Sequence, residues 1–315
     1  MAGFDDLIGQ PSHLREEMQH GRAVHAYLFT GPAGTGKRTL AALCAQTLNC
    51  TAPEGQRPCG KCPSCLQYET GNHPDAIRIA PEKSIGVDVV RDLISRMGVH
   101  TLESARRTVI IEQADKMTPQ AQNALLKTLE TPPSDAVLFL VTDQMSALLP
   151  TIISRCRVEK FHLLTVEQAQ QALEKRGIPP ERAALLARLC NGSVGKALEK
   201  HASEDFWKNR DRVRRALSLL HTEADVGLAA APLTESREQA QEILDLIELW
   251  ARDAMVLAAG GEIMQEDCRE EYLNAPFSAE KLLSGVLETR KRLFSNVSWQ
   301  QALEMLFFEI VSGGK

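Results

Sequence analysis

The sequence lacks the features that mark membrane and secreted proteins. Its apolar runs, such as Ala136–Val141, have the length of a strand and fall far short of the roughly 18 residues of a membrane span. The N-terminal segment MAGFDDLIGQ is acidic and has neither the basic nor the apolar region of a signal peptide. We therefore expect a cytoplasmic protein without membrane contact. Its eight cysteines are then expected to be thiols or metal ligands rather than disulfides.

The sequence is also short of the residues that a protein needs to hold nucleic acid through its own surface. The formal net charge is −5, whereas such proteins usually carry a basic excess. Aromatic residues make up 5% of the chain, which leaves little material for stacking on unpaired bases. These shortages point first to protein partners.

The first half of the chain alternates apolar strands with helices. The expected helices are Lys37–Thr47, Val87–Met97 and Pro119–Glu130. The expected strands are Ala26–Thr30, Ala76–Ala80, Thr108–Glu112, Val137–Val141 and, as a short fifth, Val158–Phe161. Uninterrupted apolar strands that alternate with helices are typical of a parallel sheet covered on both faces, so the predicted fold class is α/β.

After about Phe161 the pattern becomes wholly helical. Three short helices are expected at Thr165–Lys175, Pro180–Cys190 and Val194–Ala202, and further helices from about Glu204 onward. We predict three domains: an α/β domain over 1–162, a small helical domain over 163–204 and a C-terminal helical domain over 205–315.

A glycine-rich turn follows the first strand and opens the first of these helices. It reads Gly31-Pro-Ala-Gly-Thr-Gly36-Lys37, the pattern of a phosphate-binding loop. In such a loop backbone N–H groups and the helix N-terminus cradle phosphate, and the lysine reaches the outer phosphates. The alternative is a tight turn retained for its shape alone.

Two other parts of a hydrolytic site are altered. The position after Lys37 is Arg38, where a working loop has the Ser or Thr that ligates magnesium. The third strand ends in Glu112-Gln113, where phosphate-loop ATPases of this kind usually have Asp-Glu, and a glutamine is a poor base. These changes leave nucleotide binding open and predict that the chain has no ATPase activity of its own.

Four cysteines between the first helix and the second strand have the spacing of a metal site. Cys50, Cys59, Cys62 and Cys65 follow C-x8-C-x2-C-x2-C, with Pro and Gly interleaved. Four thiolates form the closed, tetrahedral set of structural zinc. An iron–sulfur cluster uses similar short spacings, but no redox motif lies nearby, so zinc is favoured.

The segment after the fourth strand carries a family resemblance. Thr142 to Ser154-Arg155-Cys156 resembles the sensor and Ser-Arg-Cys motifs of the clamp-loader branch of the AAA+ proteins. The likeness extends over about the first 200 residues and includes Ile8-Gly9-Gln10 and Asn191-Gly192-Ser193. The C-terminal third fits by length and helicity only.

The resemblance implies specific roles. In the family the arginine of Ser-Arg-Cys, here Arg155 beside Ser154, is a finger that enters the nucleotide site of an adjacent subunit. Where a motor subunit has an arginine in the second sensor helix, this chain has Gly195. The implied, degenerate nucleotide site consists of Gly31, Gly34, Gly36, Lys37, Arg38, Glu112 and Thr142. The alternative for Arg155 is an ordinary surface salt bridge, worth about 0–1 kcal/mol.

The leading hypothesis is therefore a non-hydrolysing subunit of the bacterial DNA polymerase III clamp loader. The resemblance implies gamma or tau motor subunits and a delta subunit as partners, with the C-terminal domain in their common collar. It implies contact with the sliding clamp and primer-template DNA through the complex, and DNA-directed DNA polymerase activity by membership alone. The alternatives are an ATP-hydrolysing motor subunit of the same complex and an unrelated zinc-dependent DNA-binding module.

Overall fold

The computed structural model describes residues 3, 4, 7, 9, 11–98, 101, 102, 106–133, 135–293 and 297–312. Ile8 and Gln10, part of the N-terminal family resemblance, lie outside the described residues. The chain divides into two compact units. The first comprises Met1–Pro180 with Cys190–Lys196, and the second comprises Glu181–Leu189 with Ala197–Lys315. The predicted division into three domains stays a prediction.

The first unit is built on a parallel sheet, as the sequence predicts. In its described residues the sheet has five strands in the order β2-β3-β4-β1-β5. The strands are β1 (Ala26–Thr30), β2 (Ala76–Ile79), β3 (Arg107–Ile111), β4 (Ala136–Thr142) and β5 (Arg157–Lys160). Each predicted strand is present, with ends that differ by at most one residue.

Helices connect these strands. Those that lie wholly in the first unit are α1 (His13–Gln19), α2 (Lys37–Asn49), α3 (Pro63–Thr70), α4 (Val87–Met97), α5 (Pro119–Glu130), α6 (Pro150–Ile153) and α7 (Val166–Glu174). Next come α8 (Pro180–Leu189), which belongs to the second unit from Glu181, and α9 (Val194–Ala202), which the unit boundary divides.

The core lies on both faces of the sheet because alternate residues of each strand point to opposite sides. In β4, Leu138 and Leu140 pack with α4 and α5 residues such as Leu93 and Leu125. Phe139, on the other face, packs with Leu40 and other residues of α1 and α2. Every residue of β1, β3 and β4 is buried, which explains why these strands read as continuous apolar runs.

The second unit is helical in its described residues. Its further helices are α10 (Glu204–Leu219), α11 (Val226–Ala230), α12 (Ala240–Ala258), α13 (Arg269–Leu273), α14 (Ala279–Leu293) and α15 (Trp299–Ser312). Its core contains Trp250 and Trp299, as expected of tryptophans on amphipathic helices. In the described part of the chain no helix combines the length and the apolarity that a bilayer span requires.

We predict that the free energy of unfolding of the first unit depends strongly on Phe139. Its ring stacks on Tyr27 at 5.3 Å between centroids and meets Phe29 edge-on at 5.7 Å. Phe139→Ala should lower the free energy of unfolding by about 3–5 kcal/mol, because it removes a buried ring and leaves a cavity. Urea denaturation followed by circular dichroism measures the change.

Phe308→Ala is the matched control, since Phe308 is 48% exposed on α15. Its effect should stay within about 0.5 kcal/mol. Equal shifts for the two variants would contradict this account of the core.

Candidate functional site

The phosphate-loop sequence adopts the strand–turn–helix arrangement that the motif requires. β1 ends at Thr30 and α2 begins at Lys37. Gly34 and Gly36 have φ values of 76° and 87°, which are readily accessible to glycine but strained for residues with a side chain. The strand before the loop and the helix after it are those that the sequence predicts, and the nucleotide-binding role of the loop stays a prediction.

The lysine of the loop is held by its own chain. The buried Lys37 ammonium donates to the carbonyl oxygens of Gly31 and Pro32, each at 2.6 Å. It also pairs with Asp143 Oδ1 at 2.8 Å, just beyond β4. An ammonium has three hydrogens to donate, so these acceptors satisfy it completely. A phosphate would have to displace at least one of them.

Arg38 pairs with Glu112, so the two positions that hold magnesium in a working site here bond to each other. Its Nη1 lies 3.4 Å from Glu112 Oε2, and Arg78 Nε donates to Glu112 Oε1. The Glu112 side chain is 5% exposed, so its negative charge needs partners within the protein. Two guanidinium groups supply them. A divalent cation would meet a neutralised carboxylate and a fixed positive charge.

The first turn of α9 and the residue before it, Ser193, cover the other side of the loop. Gly195 N donates to Gly34 O at 2.8 Å, and Ser193 Oγ donates to Ala33 O at 3.0 Å. A Cβ on Gly195 would lie 2.7 Å from the Gly34 Cα, a distance that real Cβ atoms do not show. The arginine that motor subunits are expected to have at this position therefore does not fit in this arrangement.

Thr142, the predicted sensor residue, is buried at the end of β4. Its hydroxyl donates to Asp115 Oδ1 at 2.7 Å and accepts from the N–H of Gln144 at 3.0 Å. The hydroxyl is therefore engaged on both sides within the chain. Together with Lys37 and Glu112, Thr142 lies near the carboxyl ends of neighbouring strands.

Arg155 and this loop lie at opposite ends of two neighbouring strands: Arg155 precedes β5, and the loop follows β1. β1 and β5 are parallel, with Tyr27 beside Arg157 and Thr30 beside Lys160. Arg155 thus precedes the first paired residues, whereas the phosphate loop follows the last. Strands rise about 3.3 Å per residue, so the four paired residues alone separate the two ends of the strands by about 10 Å.

The Arg155 side chain is 34% exposed and contacts only nearby surface groups of its own unit in the described residues. Nη2 pairs with Glu130 Oε1 at 2.5 Å, and Nη1 donates to Thr151 O at 2.9 Å. Ser154 is exposed, and its hydroxyl also donates to Thr151 O. The salt bridge considered as an alternative role for Arg155 is therefore present in the isolated chain.

A residue that sequence reasoning missed, Gln122, holds the loop in front of this arginine. Its Nε2 donates to Met117 O and Ala147 O, and its Oε1 accepts from Leu149 N at 2.8 Å. The available signal was a polar residue on the buried face of α5, in helical register with Leu125. Asp143, Arg78 and Glu130 were also missed, because their partners are distant in sequence.

The segment after the arginine is anchored as well. Arg157 Nη1 donates to both carboxylate oxygens of Glu17 at 2.8 and 2.9 Å, and Arg157 Nε pairs with Glu159 at 2.9 Å. Hydrogen bonding to Glu17 raises the pKa of Arg157 despite partial desolvation. Ile153, two residues before Arg155, ends α6, and Arg157, two residues after it, begins β5. The backbone on both sides of Arg155 therefore belongs to fixed elements of the fold.

The structure brings the four predicted metal ligands together. The sulfur atoms of Cys50, Cys59, Cys62 and Cys65 all lie within 4.8 Å of one another. The Cys50 and Cys62 sulfurs are 3.9 Å apart, close to the roughly 3.8 Å edge of a tetrahedron with zinc–sulfur bonds of about 2.3 Å. The donor set and spacing therefore fit a metal ion such as zinc.

Local backbone geometry favours a thiolate at Cys62. Burial opposes ionisation of Cys62, but hydrogen bonds from backbone N–H groups, among them that of Cys65, lower the pKa of its thiol to about 6. Burial raises the pKa of Cys65. A bound metal would ionise that thiol too, because a coordinating thiol loses its proton.

The cluster is tied to the phosphate-loop helix. α2 ends at Asn49, directly before Cys50, and Gln46 in its last turn donates to Cys65 O at 3.2 Å. Cys62 caps α3, where its sulfur accepts from the N–H of Cys65. A metal at the four cysteines would therefore stabilise the junction of α2 with α3.

Comparisons with known proteins agree on one family. The family model described as "DNA polymerase III, delta subunit" matches residues 10–165. DNA polymerase III subunit delta' of Bacillus subtilis is 32% identical, over 95% of this chain and 94% of that protein. The delta' subunit of Pseudomonas aeruginosa is 38% identical, over 71% of this chain and 68% of that one. DNA polymerase III subunit tau of Salmonella typhimurium is 32% identical over 77% of this chain but 40% of its own length.

We predict that the internal pairing of Lys37 suppresses phosphate binding. Asp143→Ala should tighten binding of ADP at least tenfold, because it frees an ammonium donor and removes a carboxylate that repels phosphate. A tenfold change corresponds to about 1.4 kcal/mol of binding free energy. Titration with a fluorescent ADP analogue measures it.

Asp88→Ala removes the same charge from an aspartate that is 92% exposed on α4, and it should leave the affinity unchanged. If Asp143→Ala binds no better than this control, Lys37 is not restrained in the way the structure indicates.

We further predict about one tightly held metal ion per chain, measured by elemental analysis of the purified protein. Cys62→Ser should remove most of this metal and lower the thermal midpoint of the first unit, because the metal orders the segment between α2 and α3. Cys156→Ser, outside the cluster, should retain the metal. Equal metal content in both variants would eliminate the four-cysteine site.

Proposed function

The chain belongs to the delta' subunit family of DNA polymerase III, and from this we propose that it is a non-hydrolysing clamp-loader subunit whose Arg155 completes the nucleotide site of a neighbouring subunit. The observation that carries the proposal is the position of Arg155 at the amino ends of the strands, opposite the carboxyl ends where the chain's own phosphate loop lies. An arginine there serves a site on another molecule.

The chemistry of such an arginine is electrostatic. Phosphoryl transfer builds negative charge on the transferring group, and a guanidinium positioned there stabilises the transition state more than the bound nucleotide. An arginine supplied by a neighbour is worth roughly 10³–10⁵ in rate. The short α6, the Gln122 contacts and the Arg157–Glu17 pair support this role, because they fix the backbone on either side of Arg155.

The absence of hydrolysis by this chain follows from the state of its own site. Lys37 is engaged by Asp143 and two carbonyls, and Arg38 pairs with the carboxylate that would otherwise face magnesium. Gln113, at the position of the usual catalytic glutamate, carries no charge. Each change removes a different requirement of hydrolysis.

In the assembled complex the partners would be gamma or tau motor subunits and the delta subunit, with the sliding clamp and primer-template DNA engaged through the assembly. The net charge of −5 supports protein partners ahead of direct DNA binding. We assign residues 163–204 to a lid domain and 205–315 to a collar domain that joins the subunits. The chain would share in DNA synthesis as part of the polymerase holoenzyme.

We assign structural zinc to the four cysteines. A closed set of four thiolates leaves no coordination position for a substrate, so the metal would stabilise the fold rather than take part in chemistry. The junction of α2 with α3 is the element that it would hold.

A motor subunit is the second candidate, favoured by the 32% identity to a tau subunit. The two functions differ in a simple observable. A motor subunit hydrolyses ATP when it is assembled with neighbours whose own nucleotide sites are inactivated but whose arginines are intact, whereas a chain with the site described above does not.

We predict that Arg155→Ala lowers ATP hydrolysis at the adjacent site by about a hundredfold or more in a complex reconstituted with its motor and delta partners, clamp and primed DNA. The expected cause is loss of transition-state stabilisation, so kcat falls while assembly, checked by gel filtration, is unchanged.

Arg91→Ala removes an arginine that is 69% exposed on α4 and should leave hydrolysis unchanged. An undiminished rate for Arg155→Ala in an intact complex would eliminate the finger. ATPase activity of the isolated chain would instead favour the motor.

A further inference from the structure

Both terminal nitrogens of the Arg155 guanidinium bond to groups of its own subunit. Nη2 pairs with Glu130 at 2.5 Å, while Nη1 donates to the carbonyl of Thr151, four residues earlier, at 2.9 Å and to Ser154 Oγ at 3.4 Å. A side chain bonded to the carbonyl four residues before it is folded back over its own turn. The arginine is thus held against its own subunit rather than extended toward a neighbour.

Glu130 lies at a position where its negative charge is unfavourable without a cation nearby. It is the last residue of α5, whose free carbonyl groups place partial negative charge around it. A glutamate is disfavoured at this end of a helix unless a positive group offsets its charge. Arg155, from the segment after α6, is that group.

We propose that Glu130 is the resting partner of Arg155, which the arginine must leave when it engages the nucleotide of a neighbouring subunit. Glu130 is therefore a positioning residue that acts only through Arg155. This inference rests on the finger role given under the proposed function.

The exchange follows from electrostatics. A carboxylate and a nucleotide phosphate both attract the guanidinium, but the two negative groups repel each other. Binding of Arg155 to both at once is therefore electrostatically unfavourable. Both side chains of the resting pair are partly exposed, at 34% and 50%, so the pair is weak and salt-sensitive. Glu130 would therefore delay engagement modestly and would not prevent it.

The remaining contacts keep the finger in place when the charge is removed. Thr151 O and Ser154 Oγ do not depend on Glu130, and glutamine can still accept from Nη2 through its amide oxygen. Glu130→Gln consequently changes the charge with little change in shape.

The test is ATP hydrolysis by the reconstituted complex without clamp or DNA, where engagement of the finger is expected to limit the rate. Glu130→Gln should raise the rate about two- to fivefold at about 50 mM salt, since exposed ion pairs contribute no more than such a factor. The ratio of the Glu130→Gln rate to the wild-type rate should fall toward one at about 0.5 M salt, because screening weakens the ion pair in the wild type. The melting temperature should not change.

Two further variants complete the design. Glu130→Gln combined with Arg155→Ala should match Arg155→Ala alone, because Glu130 acts through the arginine. Glu82→Gln, an exposed glutamate outside this cluster, should match the wild type and controls for the change in net charge.

The outcomes separate the two ideas. A deficient Arg155→Ala together with an unchanged or slower Glu130→Gln would overturn the resting-partner role while leaving the finger in place. A lower melting temperature for Glu130→Gln would make Glu130 a structural residue and would also overturn the role. If Arg155→Ala has no effect, the finger fails, and the resting-partner role fails with it.

Discussion

The parallel pairing of β1 with β5 is the constraint on which the functional interpretation depends. Since the two strands run in the same direction, the segment after β1 and the segment before β5 must lie at opposite ends of the strands. The first carries the phosphate loop and the second carries Arg155. A chain with this topology has its arginine at one end of the strands and its own phosphate loop at the other, which suits a subunit that acts on a neighbour.

The phosphate loop retains its backbone shape while its charged groups pair with one another. Lys37 is neutralised by Asp143, and Glu112 is neutralised by Arg38 and Arg78. Buried charges are tolerated when they are paired, and here the pairs replace the phosphate and metal of a working site. The substitution at Arg38 is therefore more than the loss of a magnesium ligand, since it supplies a cation that the fold uses. Glu130 and Arg155 form an analogous but partly exposed pair near the other end of the strands.

Much of the first unit could be predicted because local patterns and packing agree. The buried strands β1 and β4 are apolar up to the threonine that ends each of them, and α4 and α5 have the predicted bounds. The four cysteines were identifiable because the ligands lie within sixteen residues of sequence, where spacing alone limits the geometry. Strand ends such as Arg107 were missed, since a buried arginine at the start of a strand depends on a partner, Asp75, that is remote in sequence.

The sequence by itself determined the alternation of strands and helices, the glycine turn, the thiol cluster and the departures at Arg38, Gln113 and Gly195, because each is written in residue type and short-range spacing. The tertiary structure decided what those residues do to one another. Asp143 and Arg78 reach Lys37 and Glu112 from other strands, Gly195 packs on Gly34, and Glu130 meets Arg155 across the ends of two helices. These contacts join positions that are 25–161 residues apart along the chain, and electrostatic pairing at that separation depends on strand order and register rather than on any local pattern.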